Sequence, residues 1–238
     1  MKSATTAGIR HALITEFGKE ADPERALQQQ AYTKSPMPYL GVTMPVLRKA
    51  AKSVFKSHPI NAAEVWHNTA LAIWRKAEYR EERYVAIELV ALPRYRKWLT
   101  PDSLPMLEEF IVTGAWWDFV DHIATGFFGH LLAHYPETLK PLLWTWATDE
   151  NIWRRRTAIL AQLKYKSLTD EKLLFHALES SMDEKEFFLR KAIGWALREY
   201  SKSRPDVVID YVEKHAQRLS NLSKREALKV LRKRGITT

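Results

Sequence analysis

Trp153 and Phe188 stand 35 residues apart, as do Tyr165 and Tyr200, and the stretch from Ile152 to Asp170 maps onto the stretch from Phe187 to Pro205. An interval of that size, holding two helix-length apolar patterns and no strand pattern, marks a chain that stacks helical pairs, each too small to bury its apolar face alone. Only 8 glycines occur, the 11 prolines mostly separate periodic segments, and few β-branched runs alternate with period two. Strands therefore have little to form from. Helix starts are marked at Asp22-Pro23, Thr43-Met44-Pro45, Thr100-Pro101-Asp102, Tyr135-Pro136-Glu137, Thr169-Asp170-Glu171 and Arg204-Pro205-Asp206. In each, a proline or a capping side chain precedes an apolar pattern of helical period. The pattern predicts an all-α chain of roughly a dozen helices, most of them about 10 to 18 residues long.

The repeat length falls near that of the tetratricopeptide and HEAT-type arrays, and the tetratricopeptide signature residues are absent, so HEAT-like is the better label. The predicted architecture is a curved α-solenoid of HEAT-like helical-pair repeats. No linker or low-complexity stretch interrupts it, and a single domain over 1–238 is the simplest organisation. A curved stack offers a concave wall long enough to grip an elongated ligand.

Charge narrows the kind of ligand. The chain carries 37 basic and 28 acidic side chains, formally +9, with a pI near 9.6. The excess is uneven: residues 1–148 hold 17 basic and 15 acidic side chains, whereas 149–238 hold 20 and 13. A one-sided positive field concentrates polyanions, nucleic acid foremost, although a solubility charge spread over the surface would give the same count. With 46% hydrophobic residues the chain can fill a core, which excludes general disorder. The absence of cysteine excludes disulfides, thiolate nucleophiles, iron–sulfur clusters and thiolate zinc sites. The start, from Met1 to Gly8, lacks the apolar centre of a signal peptide, and no apolar run approaches the roughly 20 residues of a membrane span. A cytoplasmic chain is expected.

Three clusters could carry chemistry. In Trp116-Trp117-Asp118-Phe119-Val120-Asp121-His122, Trp117 and Asp121 are four residues apart and share a helix face, beside a core stripe of Val120, Ile123, Phe127 and Leu131. Trp116 reads as core packing, and Asp118 as a surface or first-turn residue favoured by the helix dipole. Asp121 is either a functional carboxylate or one half of an ordinary ion pair, for which Arg156 is a candidate partner. In Asn151-Ile152-Trp153-Arg154-Arg155-Arg156 the three arginines point about 100° apart and cannot serve one site. Arg156 lies on the margin of the stripe formed by Ile152, Ile159, Leu160 and Leu163, and wants an anion there, either a carboxylate or a backbone phosphate. Arg154 and Arg155 are expected to face solvent.

The third cluster runs from Glu184 to Tyr200. Leu189, Ala192, Ile193, Ala196 and Tyr200 make its apolar stripe, and Lys191, Trp195 and Arg198 make a second, basic stripe with an indole at its centre. That stripe either meets a sugar–phosphate backbone or is covered by the next repeat. His130 and His134 have i, i+4 spacing but no His-Glu-x-x-His pattern and no clear third ligand, so no metal is expected. Gly-x-Gly-x-x-Gly, Walker and Gly-x-Ser-x-Gly motifs are absent. The basic C-terminal segment opens with Ser223-x-x-Glu226, a capping box, and is read as a helix that adds electrostatic reach.

The run Val112 to Asp121, followed by Asn151-Ile152-Trp153 with Arg156, Gln162-Leu163-Lys164-Tyr165-Lys166, Lys191 to Tyr200 and Leu222 to Ala227, resembles the AlkD family of DNA alkylation repair glycosylases. The likeness extends from about residue 24 to the end and is strongest over 111–228. It implies HEAT-like repeats and a monofunctional glycosylase that hydrolyses the N-glycosidic bond of N3- or N7-alkylated purines in duplex DNA without flipping the base, in base excision repair or resistance to an alkylating agent. By this resemblance Asp121 is the catalytic aspartate, Trp117 and Trp195 cradle the lesion's backbone, and Arg156 grips a phosphate. Lys164 and Arg198 fall at further DNA contacts, and Tyr32 matches a tyrosine contact. Lys191 shares the basic stripe. The resemblance implies no metal, cofactor or obligatory protein partner, a monomer, and a nucleoid-associated location if the source is bacterial. The N-terminal third departs most from the family pattern. The competing readings are a non-catalytic HEAT-repeat protein that binds damaged or branched DNA, and a protein-binding scaffold. Retention of Trp117, Asp121, Arg156 and Trp195 together argues against the first, and the basic, indole-bearing stripe is unexplained by the second.

Overall fold

The computed structural model describes residues 6–236. Fourteen α-helices and short 3-10 or π segments make up the regular structure, and no strand occurs among the described residues. The chain separates at 99/100 into two compact units.

The first unit holds α1 (Thr6–Gly18), α2 (Pro23–Thr33), α3 (Met44–Ser57), α4 (Ala63–Arg75) and α5 (Arg80–Ala91), followed by a 3-10 turn over Pro93–Trp98. Asp22 caps α2 by accepting from the Arg25 N–H at 3.0 Å, and Pro23 fills the first turn, where no backbone donor is needed. The loop between α2 and α3 is fastened from α5. The buried Glu81 carboxylate accepts the N–H groups of Gly41 and Val42 at 2.9 and 3.1 Å and that of Leu40 at 3.0 Å. Gly41 adopts φ +84, and a Cβ there would lie 2.0 Å from the Asp22 carbonyl oxygen, so only glycine fits.

The second unit holds α6 (Leu104–Gly114), α7 (Trp117–His122), a π-helical segment (Ile123–Phe128), α8 (Gly129–His134), α9 (Pro136–Trp146), α10 (Ile152–Leu160), α11 (Glu171–Glu179), α12 (Phe187–Tyr200), α13 (Pro205–Lys214) and α14 (Asn221–Lys233). The predicted starts at Pro136, Glu171 and Pro205 are observed, and Asp170 caps α11 through the Leu173 N–H at 3.2 Å. The 35-residue repeat corresponds to the pair α10/α11 followed by the pair α12/α13. The core stripe predicted for α7 and its continuation, Val120, Ile123, Phe127 and Leu131, is fully buried.

Three local expectations are corrected. The cap of α14 is Ser220, whose hydroxyl accepts the Ser223 N–H at 3.0 Å, so the helix begins two residues before Ser223. Ser223 instead donates to the Arg190 carbonyl at 2.9 Å, and Glu226 turns to another helix. Arg155 does not face solvent: it is buried, donating to the Ser180 carbonyl at 2.7 Å, to Ser181 Oγ at 3.2 Å and to Glu184 at 2.9 Å. Arg154 is half-buried between Glu108 and Asp149, 3.0 Å from the latter. The longest helices have 14 residues, short of the predicted upper length, because turns and the π segment divide the longer patterns.

Candidate functional site

The geometry of Asp121 starts with the turn before it. Ala115 ends α6 in the left-handed region at φ 42, and the extended Trp116 (φ −152, ψ 148) then places Trp117 at the first position of α7. Trp117 and Asp121 therefore share a helix face one turn apart, both half-buried. Trp116, expected in the core, is half-buried; it packs edge-on against the half-buried Phe188 at 5.1 Å and lies 6.1 Å from the buried Trp153. The π segment begins two residues after Asp121, and the Thr125 hydroxyl donates to the Asp121 carbonyl at 2.8 Å. Such bulges add a residue to a helical turn and are common beside functional groups.

Arg156 meets Asp121 fork to fork, Nε on Oδ1 at 2.7 Å and Nη2 on Oδ2 at 2.8 Å, and its Nη1 donates to the Phe188 carbonyl at the start of α12. One guanidinium thus ties α7, α10 and α12 together. The Arg156 side chain is 4% exposed and that of Asp121 15%. Of the two anions open to Arg156 in the sequence, the carboxylate is met within the chain, and all three of these donors are directed inward. Burial raises the Asp121 carboxyl above its ordinary value, the hydrogen bond and charge of Arg156 pull it back down, and neighbouring Asp118 pushes it up again. The bidentate partner favours the ionised form.

The basic stripe of α12 is also internally partnered. Glu226 of α14 accepts from Lys191 Nζ at 2.7 Å through Oε1 and from Arg198 Nη1 through Oε2. Trp195, half-buried, lies between the two cations along the helix. Gly194 makes this possible: a Cβ there would sit 2.6 Å from Glu226 Cβ and 2.9 Å from the Ser223 carbonyl, so α14 approaches α12 backbone to backbone.

Asp121, Arg156, Lys191 and Glu226 are each 35 residues apart, and both ion pairs, Asp121–Arg156 and Lys191–Glu226, span that interval. They are equivalent positions of successive repeats. The aromatic period in the sequence contained this ladder, and stepping it from Asp121 would have found Glu226.

Of the remaining candidates, Lys164 is not drawn into either cluster. Lys164 is exposed beyond the end of α10, in a turn anchored where the Tyr165 hydroxyl donates to the Gly129 carbonyl at 2.7 Å. Tyr32, 76% exposed, belongs to the first unit. The rings of His130 and His134 lie 4.1 Å apart, and no group of three possible metal ligands occurs among the described residues. Among the described residues no helix is long and apolar enough to cross a membrane.

Residues 13–231 match the family described as DNA alkylation repair enzyme. Among solved structures the chain is similar to a predicted DNA alkylation repair enzyme from Enterococcus faecalis, with 31% identity and a TM-score of 0.80 over 89% of this chain and 96% of the other. It also resembles smu.31 from Streptococcus mutans UA159, with a TM-score of 0.58 over 90% and 98% of the two chains; at 16% identity that likeness speaks for the fold alone. No sequence among curated proteins matches the chain.

Proposed function

Because the chain belongs to the DNA alkylation repair enzyme family, we propose that it is a monofunctional DNA glycosylase that hydrolyses the N-glycosidic bond of cationic N3- and N7-alkylpurines in duplex DNA, within a HEAT-like array and without flipping the base. The observation that carries this reading is the Asp121–Arg156 fork: a single carboxylate, largely removed from water, held in one orientation and sharing a helix face with Trp117.

An alkylated purine of this kind already carries a positive charge and leaves without a proton from a general acid. As the C1′–N bond breaks, its electron pair passes to the purine and neutralises it, while positive charge develops on the deoxyribose. A fixed carboxylate stabilises that oxocarbenium-like charge better than mobile water can, because it needs no reorganisation as the charge appears. Asp121 supplies it, orients the water that adds to C1′ and accepts the proton which that water gives up. Trp117 and Trp195 offer electron-rich faces to the sugar and the cationic base, each contact worth about 0.5 to 2 kcal/mol. Arg156 acts on the reaction through Asp121, keeping it ionised and aimed, rather than through a phosphate. Lys164 and Arg198 supply backbone contacts. A base left in or near the stack needs no fitted pocket, unlike the extruded bases of most glycosylases.

The test is free-base release from duplexes carrying 7-methylguanine, 3-methyladenine or a bulky N3-adenine adduct. Asp121→Asn should abolish most excision and retain DNA binding. Wild-type release with full activity in Asp121→Asn removes Asp121 from the chemistry. Binding without release from any of the three duplexes supports the non-catalytic, damage-binding reading instead.

A further inference from the structure

Glu226 plays no part in the chemistry proposed above, yet it is the most constrained acid near the basic stripe. Its side chain is 11% exposed, and its two oxygens are divided between cations seven residues apart on α12. A carboxylate facing a polyanion would ordinarily oppose binding. Here it is placed at the cost of a residue without a side chain, since any Cβ on Gly194 would collide with Glu226 and with the backbone of Ser223. The Ser223 hydroxyl adds a second tie, to the Arg190 carbonyl at 2.9 Å. Lys191, and to a lesser degree Arg198 and Lys229, hold the Glu226 carboxyl below its usual range, which favours its charged form.

We propose that Glu226 is a positioning residue for DNA: it fixes Lys191 and Arg198 on either side of Trp195, so that the indole and its two flanking cations meet the strand as one preformed surface. The proposal rests on the DNA glycosylase reading. Long basic side chains lose much rotamer freedom when they bind. Tethering both to one buried carboxylate takes that loss at folding rather than at the encounter with DNA, and it fixes where the backbone lies relative to Trp195 and Asp121. The arrangement sacrifices part of the attraction, since Glu226 cancels one of the two positive charges.

The two effects separate in Glu226→Gln. Freed of the carboxylate, the stripe gains one net charge, so the salt dependence of binding to an undamaged duplex should steepen by about one ion. Single-turnover excision of 7-methylguanine at saturating enzyme should fall about tenfold or more, as misplacement of a cradle does. Steeper binding with slower excision supports the proposal. Unchanged slope and rate in a variant of lowered Tm would mean that Glu226 only holds α14 to α12, and steeper binding with unchanged or faster excision would mean that it only opposes DNA; either overturns it. Should Glu226→Gln not fold, Lys191→Met reads the same tether. Excision slowed about threefold or more, with a slope lower by about one, supports positioning, and a slope lower by about one with an unchanged rate overturns it. If the wild-type protein releases no base, the glycosylase reading fails, and this proposal, which rests on it, falls with it; release by the wild type with unaltered rates in the variants overturns the proposal alone.

Discussion

The Asp121–Arg156 fork lends itself to a double-mutant cycle, with Asp121→Asn, Arg156→Met and the pair together. Both partners are too buried for solvent to screen them as it does a surface pair. Arg156→Met removes two bonds to the carboxylate and one to the Phe188 carbonyl, and leaves Asp121 charged and largely desolvated. Orphaning one member of a buried pair costs about 3 to 5 kcal/mol. Asp121→Asn keeps the shape but presents an amide N–H₂ to one arm of the guanidinium, which places it near the lower end of that range. Simple addition would put the double variant at about 7 kcal/mol. Removing both charges leaves no orphan, so the double variant should lose only about 4, a coupling of about 3 kcal/mol. Urea unfolding at pH 7, with the midpoints converted through a common slope, measures all three. Additivity within about 0.5 kcal/mol would refute the fork as an energetic unit. The same variants bear on DNA: an inward-facing Arg156 predicts that Arg156→Met leaves the salt slope of binding unchanged, and a slope lower by about one would mean that this arginine grips a phosphate after all.

Two further outcomes follow from the geometry. Excision should track the ionised fraction of Asp121; burial raises that carboxyl, so the acid limb of the rate should lie above the ordinary aspartate value of 3.8, and should climb further in Arg156→Met, where the lowering partner is gone. A pH–rate profile with its limb at or below 3.8 would count against Asp121 as the working group. In the first unit, Gly41→Ala forces a Cβ to within 2.0 Å of the Asp22 carbonyl at a positive φ and displaces the loop held by Glu81. The expected loss is about 3 kcal/mol or more, combining left-handed strain with one or two broken backbone bonds, and thermal unfolding that shifts by less than 2 °C would contradict it.

Much of this was legible in the residues because it depends on local rules. Proline and aspartate at helix starts, apolar stripes of helical period and the 35-residue interval all act within one or two turns of chain. Arg155 departs from expectation for the same reason: periodicity places it off the buried stripe of its own helix, and only the neighbouring Ser181 and Glu184 reveal an acceptor-lined slot. Ser223-x-x-Glu226 satisfies a local pattern, but Ser220 stands closer to the true helix start and frees Glu226 for a partner 35 residues back. The π segment left no trace, since one residue added to a turn changes phase without changing composition. That Asp121 meets Arg156 bidentately depends on how α7 packs on α10, which no local pattern in either helix states.

The ladder of Asp121, Arg156, Lys191 and Glu226 contains two acids and two bases, so as a set it is electrically neutral. The surplus of +9 therefore originates elsewhere on the molecule. Under the glycosylase reading proposed above, capture of DNA draws mainly on charges outside the ladder, and cleavage of the glycosidic bond on the Asp121–Arg156 pair within it. Ionic strength should throttle the bimolecular association step, while the unimolecular step on bound substrate, served by the self-compensated Asp121–Arg156 pair, proceeds at nearly the same pace in dilute and concentrated salt.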